Sequence, residues 1–153
     1  MVSAECPRGR ERRALRISSG VPGSDPASPA QPAPRMVLLC HELPDGSWHF
    51  DWMIETPGQA EGPLRTLRVH ERPDAADRFT AELLPDHRRA YLDYEGPVSG
   101  GRGTVRRVAS GIVERLALGP ERIEILGTLA GATRRWIGVR DGDSAWAFES
   151  RPA

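Results

Sequence analysis

The sequence predicts a mainly β protein: a small antiparallel β-barrel with little helix, preceded by a disordered N-terminal tail. Two observations predict the barrel and a third sets its boundary. Short apolar or alternating segments recur from Met36 onward. Turns rich in glycine, proline and aspartate separate them, as in closed or nearly closed antiparallel barrels. The stretch Ser18 to Arg35, by contrast, is Ser, Gly, Pro and Ala with Pro22, Pro26, Pro29, Pro32 and Pro34. Such a segment cannot bury enough apolar surface to offset the entropy of ordering it. Residues 1–35 are therefore read as a tail and 36–153 as one domain, a size at which a single core suffices. Met36 is a candidate true start.

The elements follow in order. Val37-Leu38-Leu39-Cys40 is an apolar run, and Trp48 to Glu55 is aromatic-rich. Between them Pro44-Asp45-Gly46 reads as a three-residue hairpin loop, with Gly46 suited to the left-handed position. Leu64 to Val69 is a third strand, closed off by Pro73-Asp74. Arg78 to Leu84 fits two patterns: Phe79, Ala81 and Leu83 alternate as in a strand, while Ala76, Phe79, Thr80 and Leu83 share a helical face. Tyr91–Tyr94, Thr104–Val108, Ile112–Leu116 and Arg122–Leu126 read as short strands. Arg134–Val139, a turn at Asp141-Gly142 and Ala145–Phe148 form the clearest hairpin.

Composition narrows the chemistry. Residues 1–35 hold six arginines against Glu5, Glu11 and Asp25, and the rest holds 15 arginines against 18 acids. The domain is not a basic nucleic-acid binder by bulk charge, so any phosphate recognition must be local. All 21 basic residues are arginine, which excludes a lysine nucleophile or Schiff base. Two cysteines, Cys6 in the tail and Cys40 in a strand, make no disulfide framework; reduced thiols and a cytoplasmic setting are expected. No apolar run reaches the length of a membrane span.

Three clusters carry candidate chemistry. His49 and Asp51 are two apart and share one face of a strand. With the hairpin centred on Asp45, His41 lies directly across from His49. Two imidazoles and a carboxylate then converge as a divalent-metal shell with open positions; the alternative is packed or surface histidines. His70 has no such company and is read as a surface residue. In Asp86-His87-Arg88-Arg89-Ala90-Tyr91, His87 and Tyr91 approach over one helical turn, or else the segment is a charged turn leading into a strand. Gly96-Pro97-Val98-Ser99-Gly100-Gly101-Arg102-Gly103-Thr104 is a glycine-rich turn open to phosphate, or a plain hairpin loop.

The order of these pieces resembles the 3′-phosphoesterase module of bacterial DNA ligase D and its small stand-alone bacterial relatives. That module has a His-Asp pair and then a His-Tyr-Asp-Phe-Arg-Leu-Glu strand. A histidine follows, four residues before the tyrosine of a Tyr-Ala-Asp-Phe-Glu-Gly stretch, and then a glycine-rich turn. Here the pieces are His41-Glu42, His49-Phe50-Asp51-Trp52-Met53-Ile54-Glu55, His87, Tyr91-Leu92-Asp93-Tyr94-Glu95-Gly96 and the turn ending Gly103-Thr104-Val105. The likeness spans about 36–150 and is specific only in its middle.

The resemblance implies a manganese-dependent enzyme, zinc fitting the same donors, that acts on nucleic-acid 3′ ends in strand-break repair beside end-joining proteins. It would remove a terminal ribonucleoside and then the remaining 3′-phosphate. It implies metal ligation by His41, His49 and Asp51, catalytic roles for His87 and Tyr91 at the scissile phosphate, and a match of Arg78 to an arginine preceding that histidine, with spacing differing by one.

Three departures stand beside it. The family arginine two residues after the metal-binding aspartate is Met53 here, the aspartate after the first histidine is Glu42, and the tail holds no match to the family's arginine and acidic residues before that histidine. Two further readings therefore remain: a non-catalytic module that binds nucleic-acid ends or metal on the same fold, and a metal-free β-barrel interaction protein.

Overall fold

The computed structural model describes Cys6 and residues 33–153. Among these residues nine strands follow one another: β1 (Arg35–Glu42), β2 (Trp48–Ile54), β3 (Leu64–Val69), β4 (Arg78–His87), β5 (Gly96–Pro97), β6 (Thr104–Leu118), β7 (Arg122–Leu129), β8 (Ala132–Arg140) and β9 (Ala145–Pro152). A 3₁₀ helix, Arg89–Leu92, is the one helical element among the described residues. All pairings are antiparallel, in the order β1-β2-β3-β4-β9-β8-β7-β6, and β6 returns to pair with β1. Eight strands thus close a ring, and the two-residue β5 hangs on β6. The mainly β barrel expected from the turn spacing is the observed fold.

Strand alternation builds the interior. Met36, Leu38 and Cys40 of β1, Phe50, Trp52 and Ile54 of β2, and Phe79 and Ala81 of β4 all belong to one buried cluster with Trp136 and Phe148. Trp52 and Trp136 meet edge to face with centroids 5.1 Å apart, and Phe79 stacks on Phe148 at 5.2 Å. Trp136 Nε1 donates to the Pro73 carbonyl at 2.8 Å, so its polar edge is satisfied inside the barrel.

A second, smaller core lies on the outside of the ring. Val37, Leu39, Met53, Leu64, Leu92, Val98 and Val105 pack together there, with Tyr91 against them. The 3₁₀ helix and the β5 segment form its cover. This explains why Val37–Cys40 is continuously apolar: β1 is buried on both faces.

Several expectations change. Tyr91–Tyr94 is not a strand; bonds from Tyr91 N to Arg88 O and from Asp93 N to Ala90 O, both 3.1 Å, wind it into the 3₁₀ turn. Thr104–Val108 and Ile112–Leu116 are halves of the single long β6, whose register shifts opposite Leu38/Leu39 and again at Val113/Arg115. Such shifts let one strand bend from β1 onto β7. Arg78–Leu84 resolves as strand, running on to His87.

The reduced-thiol expectation is also corrected, since Cys6 and Cys40 form a disulfide with Cα atoms 6.4 Å apart. Cys40 points into the barrel by alternation and Cys6 is buried beside it. The predicted disorder of the tail falls outside the described residues except at Cys6 and residues 33–35. There the chain packs on the domain: Arg106 Nη2 donates to the Cys6 carbonyl at 3.1 Å, and Val113 N donates to the Pro34 carbonyl at 2.7 Å. No helix among the described residues is long and apolar enough to cross a membrane.

Candidate metal centre

The β1–β2 hairpin sets the centre. Leu43 N donates to Ser47 O at 2.8 Å and Gly46 N to Leu43 O at 3.0 Å, closing the three-residue loop Pro44-Asp45-Gly46. Gly46 takes φ +87°, the left-handed value that the loop requires. The Asp45 carboxylate accepts from Ser47 N and Oγ and stiffens the turn. The resulting register pairs His41 with His49, and Leu39 with Asp51. His49, Asp51 and Met53 then face outward, away from Phe50 and Trp52, yet all three are buried.

Asp51 stands between the imidazoles. Its Oδ2 is 3.3 Å from His41 Nδ1 and its Oδ1 is 3.1 Å from His49 Nε2. One donor atom from each of the three residues lies within 4.8 Å of the others, so the group could hold a metal ion. His49 Nε2 and Asp51 Oδ1 are buried and, despite their proximity, have no hydrogen-bond partner among the described residues. Buried polar atoms are ordinarily satisfied, and a cation between them would satisfy both. Two imidazole nitrogens and a carboxylate oxygen suit Mn²⁺ or Zn²⁺ and do not choose between them.

The far side of His41 is held as well. Its Nε2 contacts the Arg102 carbonyl at 2.6 Å, leaving Nδ1 toward Asp51. Such outer contacts orient a metal-binding imidazole. Gly103 makes this approach possible: at φ +94°, a Cβ there would lie 1.9 Å from the Glu42 carbonyl oxygen. The glycine-rich turn therefore delivers a backbone carbonyl to the centre.

The electrostatics follow from this packing. Burial alone would raise the Asp51 carboxyl, but the facing imidazoles of His41 and His49 outweigh it and hold it at about 2. His41 is raised above the ordinary imidazole value, chiefly because Asp51 accepts its proton. Burial opposes this, the Arg102 carbonyl and the Asp51 charge add to it, and Arg68 opposes it.

The centre opens into a cleft of about 890 Å³ whose walls include His41, Asp51, Met53, Arg68, His87, Arg88, Tyr91 and Arg102. His87, at the end of β4, and Tyr91, on the 3₁₀ helix, meet edge to face at 5.9 Å. His87 Nδ1 lies 2.9 Å from the Pro85 carbonyl. Arg102 donates through Nε to Ser99 O at 2.7 Å and through Nη2 to Ser99 Oγ at 3.2 Å, on the rim. Five of the six candidate residues, His41, His49, Asp51, His87 and Tyr91, therefore belong to the centre or its cleft.

Arg78 does not. It sits at the opposite end of β4, its side chain 82% exposed and 3.3 Å from Glu149. The ten-residue strand separates it from His87, so its expected catalytic place is corrected. Sequence reasoning missed two other residues. Arg68 lies opposite Asp51 in the β2–β3 register. Glu55, buried at the end of β2, accepts from Arg35 N at 2.6 Å and from Arg89 Nη2, tying the 3₁₀ helix that bears Tyr91 to the barrel. Strand alternation puts Arg68 on the face opposite Leu67 and Val69, which enter the barrel, but no turn signal in the sequence fixes its register on β2. Compared with known proteins, the chain matches no family model and no curated sequence.

Proposed function

We propose that this protein is a metal-dependent 3′-phosphoesterase acting on nucleic-acid 3′ ends during strand-break repair, with manganese as its metal. One observation carries the reading: a single cleft, lined by His41 and Asp51 of the three-residue metal group, also takes in the His87–Tyr91 pair and arginine cations. The order of motifs that resembles the ligase D module supplies the substrate class.

A bound divalent metal would offset charge on a phosphoryl oxygen and lower the pKa of a coordinated water. The chain's own groups do the rest. The Pro85 carbonyl accepts from His87 Nδ1–H, which leaves Nε2 as the nitrogen available for proton transfer. That nitrogen gives a proton to the departing oxygen when protonated, or takes one when neutral. Tyr91 flanks His87 and limits its ring orientation. Arg88 and Arg102 place positive charge on the rim without making the domain basic as a whole.

A second reading, a non-catalytic module that binds nucleic-acid ends or metal, is favoured by Met53. It lines the cleft and is buried in the outer core, and a thioether holds no phosphate. The test is turnover of a recessed DNA end carrying a 3′-phosphate, with Mn²⁺ added. Release of inorganic phosphate supports the enzyme. Metal and end binding without release supports the module.

A further inference from the structure

We propose that Arg68 holds the anionic group of the ligand beside the metal centre and so supplies from β3 the cation that Met53 cannot supply from β2. The inference rests on the metal-centre reading above. It adds a specific residue and a ligand chemistry: a tetrahedral oxyanion with at least two free oxygens.

Register places the guanidinium. Arg68 is the antiparallel partner of Asp51, and partners in such a ladder carry side chains on one face with Cβ atoms roughly 4.5–5.5 Å apart. Both residues line the cleft, together with His41 and His87. Arg68 Nε is shielded from solvent and has no hydrogen-bond partner among the described residues. Among the described residues its nearest acid is Glu82, its partner on the other side, with Nη1 and Oε2 3.7 Å apart. That separation is too long for a hydrogen bond. Among the other arginines near the cleft, Arg65 is bonded to Asp86, Arg89 to Glu55 and Arg102 to Ser99, while Arg88 is exposed on the rim. Arg68 therefore brings unused donors into the cleft.

The placement is otherwise unfavourable. A permanent cation next to a site for a divalent cation opposes metal binding, and a buried N–H without an acceptor costs stability. An oxyanion lying between the metal and Arg68 removes both costs. The planar fork of arginine matches two oxygens of such a group. Metal and anion would then raise one another's affinity by the same factor.

The experiment titrates Mn²⁺ into the full chain by calorimetry, with and without inorganic phosphate, for the natural protein, Arg68→Gln and Arg68→Lys. A second arm compares a 3′-phosphorylated oligonucleotide with its 3′-hydroxyl counterpart. In the natural protein phosphate should tighten Mn²⁺ binding. Arg68→Gln should bind Mn²⁺ at least as tightly without phosphate, should lose the phosphate effect, and should weaken phosphate binding to the loaded protein ~10–100-fold. Arg68→Lys should fall between them. A merely structural arginine would not move the two affinities in opposite directions.

A stronger preference for the 3′-phosphorylated strand than for free phosphate identifies a phosphomonoester end as the ligand; equal binding identifies free phosphate. If loaded Arg68→Gln, with an unchanged melting curve, binds phosphate as the natural protein does, Arg68 is not the anion ligand while the metal centre stands. If the natural protein binds no Mn²⁺, the metal reading fails and this inference falls with it. If both variants fail to fold, Arg68 is structural and the assignment is overturned.

Discussion

His41 and His49 face each other across the β1–β2 hairpin with ring centroids 5.0 Å apart and planes inclined at 69°. The Asp51 carboxylate reaches one nitrogen of each ring. His49→Ala should lose most bound Mn²⁺ or Zn²⁺, because it removes a ligand whose nitrogen is buried and unpartnered. His70→Ala should retain it, since His70 is exposed and outside the cleft. Elemental analysis after dialysis decides, and equal metal in both variants removes His49 from the site.

Protons should compete with the metal. His41 is raised by its contact with Asp51, so in metal-free protein its contribution to stability is complete below the ordinary imidazole value of about 6.5. That contribution is lost as pH rises through the higher folded value. Asp51, held at about 2, contributes in the opposite sense: its share is present above the ordinary carboxylate range and is lost as pH falls toward 2. A metal on His41 Nδ1 displaces the proton. The rise in melting temperature caused by Mn²⁺ should therefore shrink on acidification, starting above about 6.5. A metal effect that stays constant between about pH 5 and 8 would take His41 out of the ligand set.

His87→Ala tests the proton-transfer role. Loss of a positioned acid or base typically costs ~10²–10⁴-fold in rate, while the three metal donors are untouched. The variant should therefore hold metal and release little phosphate from a 3′-phosphate end. Turnover within a few-fold of the natural protein would make His87 a wall residue only.

The Cys6–Cys40 disulfide joins residues 34 apart in sequence. Cross-links of this kind contribute about 2–4 kcal/mol, mainly by restricting the unfolded chain. Reduction, or Cys6→Ser, should lower the melting temperature, and a chain beginning at Met36 should melt lower still because it also loses the Pro34 and Arg35 backbone bonds. A truncated chain that melts like the full one would show that these contacts are energetically idle.

The β1–β2 half of the candidate site was legible in the sequence by itself. Alternation puts His49 and Asp51 on one face, and the left-handed Gly46 in a three-residue loop sets His41 opposite His49. Those relations are steric and local, decided within eleven residues of chain. Tertiary structure alone decided the rest. Nothing in the connection from Glu55 to Pro63 dictates that Arg68 should face Asp51; the register comes from packing Leu67 and Val69 into the barrel. The end of β4 brings His87 to the cleft and leaves Arg78 at its other end, a matter of strand length. Closure of β6 on β1 carries Arg102 to His41, and the shared interior joins Cys6 to Cys40. Sequence neighbours are bound by backbone geometry, whereas distant partners are chosen by whichever arrangement buries both faces of β1 at once.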